Sequence, residues 1–239
     1  MAESVLRTRF VPETKITEEE AYYSLLKKYA RVLAPFYDTV FGCLSLGRGS
    51  RLRDKVADFA EAQHGSRILD VATGTGKQAF AFANRGFNVV GVDLSEDMLA
   101  VAKKQNSYKN AIFEIADATN LPFEDNSFDV SCVSFALHDM IPIIREKTLK
   151  EMVRVTKTKG TVIIVDYALP ENGLSRFFVY NIVKLYEPYY SEFIKSDLEA
   201  MLRKSGIQIK ERLSVLFGAG RILRGAKVAK SMIEVESRK

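Results

Sequence analysis

Apolar positions along the chain follow two rhythms in turn. A short aliphatic run closes at Asp70, a β-branched run closes at Asp93, and further apolar runs occupy 111–116, 128–135 and 161–167. Runs of this length and composition predict strands. Between them the spacing changes to that of helices over 78–84, 96–105 and 145–155. Ser95 is placed to cap the second of these, and the turn Lys157-Thr158-Lys159-Gly160 to stop the third. Five alternations of strand and helix predict an α/β, doubly wound and mostly parallel sheet, with ligands outside the strand C-terminal ends. A helix from Ser196-Asp197-Leu198 to Ser205 follows. Two last runs, 207–213 and 215–217 with Ile222-Leu223 beyond, predict a closing antiparallel hairpin. Before the first strand, Tyr22, Leu25, Leu26, Tyr29 and Leu33 make a helical apolar face opened by Thr17 and three glutamates. A second helix is expected over 53–62. These N-terminal helices, residues 1–60, are expected to form a layer over the main domain, 61–230, with a charged tail at 231–239.

The chemistry gathers where the first strand turns. Asp70 leads into Gly74-Thr75-Gly76, and Asp93 closes the next strand. Glycines let the backbone approach a ligand closely and take positive φ, and the following helix presents unpaired N–H groups. An acid at the end of the second strand suits the hydroxyls of a ribose. The third glycine of a dinucleotide fingerprint is replaced by Ala79, and Asp70 would repel a pyrophosphate while suiting a cation. A nucleoside cofactor carrying positive charge is therefore the expectation. Asp117 and Ser134 stand near the ends of the third and fourth strands and would share the site.

Length and composition limit the alternatives. The 239 residues suit one substantial core, and 47% hydrophobic with 27% charged residues is the balance of an ordinary globular protein. No apolar run approaches the roughly 20 residues of a membrane span, and no signal peptide is visible. Cys43 and Cys132 make no disulfide framework, which points to the cytoplasm, and the two histidines, His64 and His138, have no metal-ligand spacing, so no metal is expected. The net charge of +5 gathers toward the C-terminus, with Arg221, Arg224, Lys227, Lys230, Arg238 and Lys239. A solvated surface accounts for such a cluster, and peripheral contact with anionic lipid is the sharper alternative.

The loop Asp70–Gly76 with Asp93 resembles that of class I S-adenosylmethionine-dependent methyltransferases. Over about 29–227 the set Tyr37-Asp38, Asp93 with Met98-Leu99, Asp117-Ala118, Leu121-Pro122-Phe123, Ser134-Phe135 and 217–220 is similar to the ubiquinone/menaquinone biosynthesis C-methyltransferase family. The resemblance implies a seven-stranded Rossmann-like methyltransferase fold and S-adenosylmethionine as cofactor. It implies that Gly74, Thr75 and Gly76 hold the methionine part, that Asp93 with Leu94 holds the ribose, that Asp117 and Ala118 meet the adenine, and that Ser134 lines the pocket beside the sulfonium. Where that family resembles Ser-Phe-Gly-Leu-Arg-Asn, this chain has Ser134-Phe135-Ala136-Leu137-His138-Asp139, so its acceptor need not be the quinone precursor.

His138 is the candidate general base, able to remove a proton from a phenol, enol or hydroquinone, with Asp139 orienting it. Tyr37, Phe135, Phe178 and Tyr186 are expected to touch a small or lipid-soluble acceptor, the last two from an aromatic segment covering it. The expected activity is C- or O-methylation of an apolar, quinone- or phenol-like acceptor. Phospholipid or other amine N-methylation and a non-catalytic cofactor-binding subunit are the alternatives. Nucleic acid is not an expected partner, because strand four is followed by neither an Asn/Asp-Pro-Pro-aromatic signature nor Pro-Cys. Oligomeric state is left open.

Overall fold

A computed structural model describes residues 17–34, 36, 38, 39, 42 and 47–228, without the side chains of 27–30, 32, 33 and 186. Tyr37, Cys43, residues 229–239, and the side chains of Tyr29, Leu33 and Tyr186 lie outside the described residues.

Seven strands form one sheet in the order β3-β2-β1-β4-β5-β7-β6. They are β1 (Arg67–Val71), β2 (Asn88–Asp93), β3 (Ala111–Ile115), β4 (Phe128–Ser134), β5 (Thr156–Tyr167), β6 (Ile207–Val215) and β7 (Gly220–Lys227). Pairs β1–β2, β2–β3, β1–β4 and β4–β5 are parallel, and β7 runs antiparallel between β5 and β6. The doubly wound order reverses between β1 and β4, which opens a crevice above their C-terminal ends.

Helices among the described residues include α1 (Glu18–Leu33), α2 (Gly49–Asp58), α3 (Lys77–Asn84), α4 (Glu96–Gln105), α5 (Pro142–Val155), α6 (Gly173–Tyr186), α7 (Tyr190–Phe193) and α8 (Leu198–Lys204). Their starts follow local chemistry. Glu20 N–H donates to Thr17 Oγ1 while the Glu20 carboxylate accepts from Thr17 N–H, a reciprocal capping box. Ser95 and Asp197 accept from the amides of Met98 and Ala200.

Three expectations are corrected. The helix expected over 53–62 begins at Gly49 and ends at Asp58, where Phe59 and Ala60 turn away and Glu61 takes φ +45°. Its Leu52, Val56 and Ala57 pack in one cluster with Ile68, Phe82 and Val130, so the main core begins before the first strand. No glycine stop follows α5: Thr156 enters β5 directly, and the extra residues are absorbed by an irregular register between Phe128 and Val130. The run 215–217 is not a strand, because Leu216 and Phe217 adopt φ of +50° and +57° and turn the chain into β7. Of the basic cluster, Arg221, Arg224 and Lys227 lie on β7, and Lys230, Arg238 and Lys239 lie outside the described residues. Arg224 pairs with Glu61 and Glu211, Lys227 donates to the carbonyls of Arg154 and Thr156, and Arg221 lies over the Phe193 ring.

Candidate active site

At the crevice the turn after β1 wraps a cleft of about 520 Å³, its solvent side included, lined among others by Asp70, Gly74, Thr75, Ser134 and Phe135. Asp70 is 1% exposed and accepts from Thr73 Oγ1 at 2.6 Å. Burial pushes its carboxyl up to about 7, with Asp93 adding to the rise and the Thr73 hydrogen bond opposing it. Gly74 takes φ +56° with open space where a Cβ would stand. Its N–H donates to Asp93 Oδ2 at 2.8 Å, and Ser95 N–H donates to Asp93 Oδ1 at 2.9 Å. Burial raises the Asp93 carboxyl as well, against those backbone donors. Each Asp93 oxygen therefore holds one amide and keeps acceptor capacity for a ligand hydroxyl.

Glycine is required at two further points. Gly76 has φ +79°, and a Cβ there would stand 2.9 Å from the Phe113 ring. On β2, a Cβ at Gly91 would stand 2.8 Å from Phe113 and 2.9 Å from Thr73 Oγ1. Left-handed backbone also marks Ala72 (φ +53°) and Phe135 (φ +51°), both lining the cleft at the tips of β1 and β4. Such conformations cost non-glycine residues roughly 1–2 kcal/mol and gather at sites of function.

Asp117 follows β3. Its Oδ1 accepts from the amide and hydroxyl of Thr119, and its Oδ2 accepts from Tyr23 Oη of α1 at 3.1 Å. The N-terminal segment also reaches the glycine turn, where Thr75 Oγ1 donates to Asp38 Oδ1 at 2.6 Å. Tyr23 and Asp38 are site residues that sequence reasoning did not assign. Only the resemblance at Tyr37-Asp38 hinted at the second.

Beyond β4, His138 lies in a short turn, 2% exposed. Asp166, fully buried near the end of β5, accepts from His138 Nδ1–H at 2.8 Å and from its backbone N–H at 3.2 Å. His138 Nε2 faces Asp139 Oδ2 at 3.6 Å and Glu187 Oε1 at 3.7 Å. Burial disfavours the imidazolium, but Asp139 and Asp166 overcome it and hold the His138 pKa well above its ordinary value. Asp139 is raised by desolvation and by Glu187, against His138. Asp166 is the carboxylate hydrogen-bonded to the ring, and the surrounding acids favour its protonated form. Arg145 of α5, wholly buried, fixes this turn by donating to the carbonyls of Leu137 (2.9 Å) and Met140 (2.7 Å), and to Glu192 (2.9 Å).

Tyr167 joins the two regions, edge-on to Phe135 at 5.3 Å and to His138 at 4.6 Å. Phe178 does not join the cleft lining: it is 54% exposed on α6, beside Phe177 at 63%. His138 and Asp139 also lie outside the cleft lining itself.

The donor set fits a cationic nucleoside. Asp70 offers a buried carboxyl that a cation would draw into its ionised form, Gly74 leaves room above it, and Asp93 offers carboxyl oxygens at the next strand tip. Sheet order, the antiparallel β7 and this site define a class I S-adenosylmethionine-dependent methyltransferase.

Residues 19–201 match the model of the ubiE/COQ5 methyltransferase family, and the chain belongs to that family. It is 37% identical over 172 residues to the demethylmenaquinone methyltransferase of Paenarthrobacter aurescens, covering 72% of this chain and 62% of that one. With the enzyme of the same name from Clavibacter sepedonicus it shares 33% identity, over 86% of this chain and 94% of that one. A solved structure from Bacillus halodurans superposes with a TM-score of 0.61 at 24% identity, over 74% of this chain and 99% of that chain, and supports the fold.

Proposed function

We propose that this enzyme methylates a ring carbon of a quinol-like, partly apolar acceptor. Bound S-adenosylmethionine supplies a methyl group already activated by positive sulfur, so the protein's task is to align and to exclude water. Alignment can be worth roughly 7–11 kcal/mol of barrier in favourable cases. Asp70 and the glycine turn hold the methionine end, Asp93 and Leu94 the ribose, Asp117 and Ala118 the adenine, and Ser134 and Phe135 form the wall toward the acceptor. At the acceptor's polar end, His138, fixed by Asp166, faces the oxygen of the ring, and Asp139 takes the hydroxyl proton, which makes the ring carbon electron-rich; that carbon would gain the methyl as the sulfur–carbon bond breaks and then lose its own hydrogen to solvent as a proton.

The observation that carries this reading is the pair of contacts made by Tyr167, which ties the cleft wall at Phe135 to the His138 cluster. The relatives' names supply the acceptor class. Incubating the protein with labelled S-adenosylmethionine and a short-chain demethylmenaquinol tests it. A single labelled methyl on ring carbon supports the reading; labelled amines from a lipid extract, with an unmodified quinol, refute it.

Peripheral membrane contact belongs to the same proposal. Among the described residues no helix is long and apolar enough to cross a membrane. α6 exposes Leu174, Phe177, Phe178, Ile182 and Leu185, carries Arg176 and Lys184, and contains no acid. An amphipathic basic helix of this kind suits an anionic lipid surface, where a lipid-soluble acceptor resides. Cosedimentation with anionic vesicles that is lost in Phe177→Ser/Leu185→Ser supports the contact; no cosedimentation of the wild type removes it.

A further inference from the structure

We infer that His138, Asp139 and Glu187 bind one divalent transition-metal ion, of the Mn²⁺ or Zn²⁺ kind, on the exposed side of the His138 turn. One donor atom from each residue lies within 4.8 Å of the others. The separations from His138 Nε2, 3.6 Å to Asp139 and 3.7 Å to Glu187, are those of ion pairs with a protonated ring, and a bound ion would take the place of that proton. Ligands each about 2.1 Å from a common centre stand about 3.0–3.6 Å apart, depending on geometry, so a small inward movement of the carboxylates would seat an ion between them.

The imidazole is prepared for that task. His138 is 2% exposed, and its ring is committed through Nδ1–H to the buried Asp166, which directs Nε2 into the gap between the two carboxylates. A carboxylate on the far nitrogen is the usual support of a metal-binding histidine. Arg145 pins the carbonyls at Leu137 and Met140, on either side of His138 and Asp139, so two of the three donors sit on a backbone held in place. Glu187 comes from the C-terminal end of α6.

Charge points the same way. Three acidic side chains, Asp139, Asp166 and Glu187, surround one imidazole, and Arg221 offsets part of the field at Asp166. A divalent ion removes the excess. One nitrogen and two carboxylates suit Mn²⁺, Fe²⁺ or Zn²⁺ better than Mg²⁺ or Ca²⁺, which prefer all-oxygen shells. With 40% of the Asp139 side chain and 20% of that of Glu187 exposed, the ion has a way in and keeps open positions. An acceptor oxygen could fill one of them; that use rests on the acceptor proposed above, whereas the binding of the ion does not.

The test uses the full chain, stripped with a chelator and titrated calorimetrically with MnCl₂ and with ZnCl₂. One ion per chain is expected, at micromolar affinity or tighter, weakened at least tenfold in both Asp139→Asn and Glu187→Gln, with thermal unfolding of the metal-free variants close to wild type. Mn²⁺ bound to wild-type protein should also show electron-spin coupling to a histidine nitrogen, a readout that needs no variant to fold. Absence of saturable binding, affinity unchanged in both variants, or bound Mn²⁺ without nitrogen coupling would overturn the site.

Discussion

Asp166 Oδ1 accepts from His138 Nδ1–H at 2.8 Å, and both side chains are buried. The pair sets the direction of Nε2, and it couples the tip of β5 to the turn after β4. An amide at 166 would remove a charge that holds the imidazolium. In Asp166→Asn, the His138 ring protons followed by NMR should titrate at least one pH unit lower. Turnover should fall with affinity for S-adenosylmethionine unchanged. An unmoved titration would show that Asp166 does not govern the ring.

Arg145 reaches the same turn from the other side. Truncation to Ala would leave the carbonyls of Leu137 and Met140 without their guanidinium in a closed interior. A buried acceptor left without its donor costs about 1–3 kcal/mol. Urea denaturation of Arg145→Ala should show a loss of that size, and a change under about 1 kcal/mol would mean the turn holds itself.

The Asp70 carboxyl, pushed up to about 7 by burial, carries a pH dependence in two parts. Folding raises its pKa above that of the unfolded chain, so the folded state binds the proton more tightly. Its contribution to stability is therefore full below about pH 4 and declines as pH rises to about 7, then levels off. Ligand binding runs the other way, because a cation favours the ionised acid. Affinity for S-adenosylmethionine should be roughly tenfold weaker at pH 6 than at pH 8, and Asp70→Asn should flatten that difference.

Gly91 stands at the crossing of β2 with Phe113 and Thr73. A methyl group there must displace the ring or the threonine that donates to Asp70. Overpacking of this sort costs about 1–3 kcal/mol. Gly91→Ala should lower the midpoint of thermal unfolding and weaken cofactor binding together. A stable variant with normal binding would show that the loop has slack.

The alternation of strands and helices and the loop between Asp70 and Gly76 were legible because both are written locally, in strand-length apolar runs and in glycines that need positive φ. The start of β5 and the partners of β7 were not. Gly160 looks like a helix stop, yet pairing with β4 draws the chain straight from α5 into the sheet, and the arginines of β7 meet partners distant in sequence. The site shows the same divide. Asp93 was legible from its place at a strand tip. Tyr23 on Asp117, Asp38 on Thr75, and the meeting of Asp166 and Glu187 at His138 depend on tertiary closure, which leaves no mark in local spacing.

Asp93 tests the central claim, that one cationic nucleoside cofactor sits at the tips of β1 and β2. Calorimetric titration of S-adenosylmethionine into wild type should give one site per chain. In Asp93→Ala, with folding checked by thermal unfolding, that affinity should drop at least tenfold. Absence of binding to the wild type, or equal binding by the folded variant, would contradict the account.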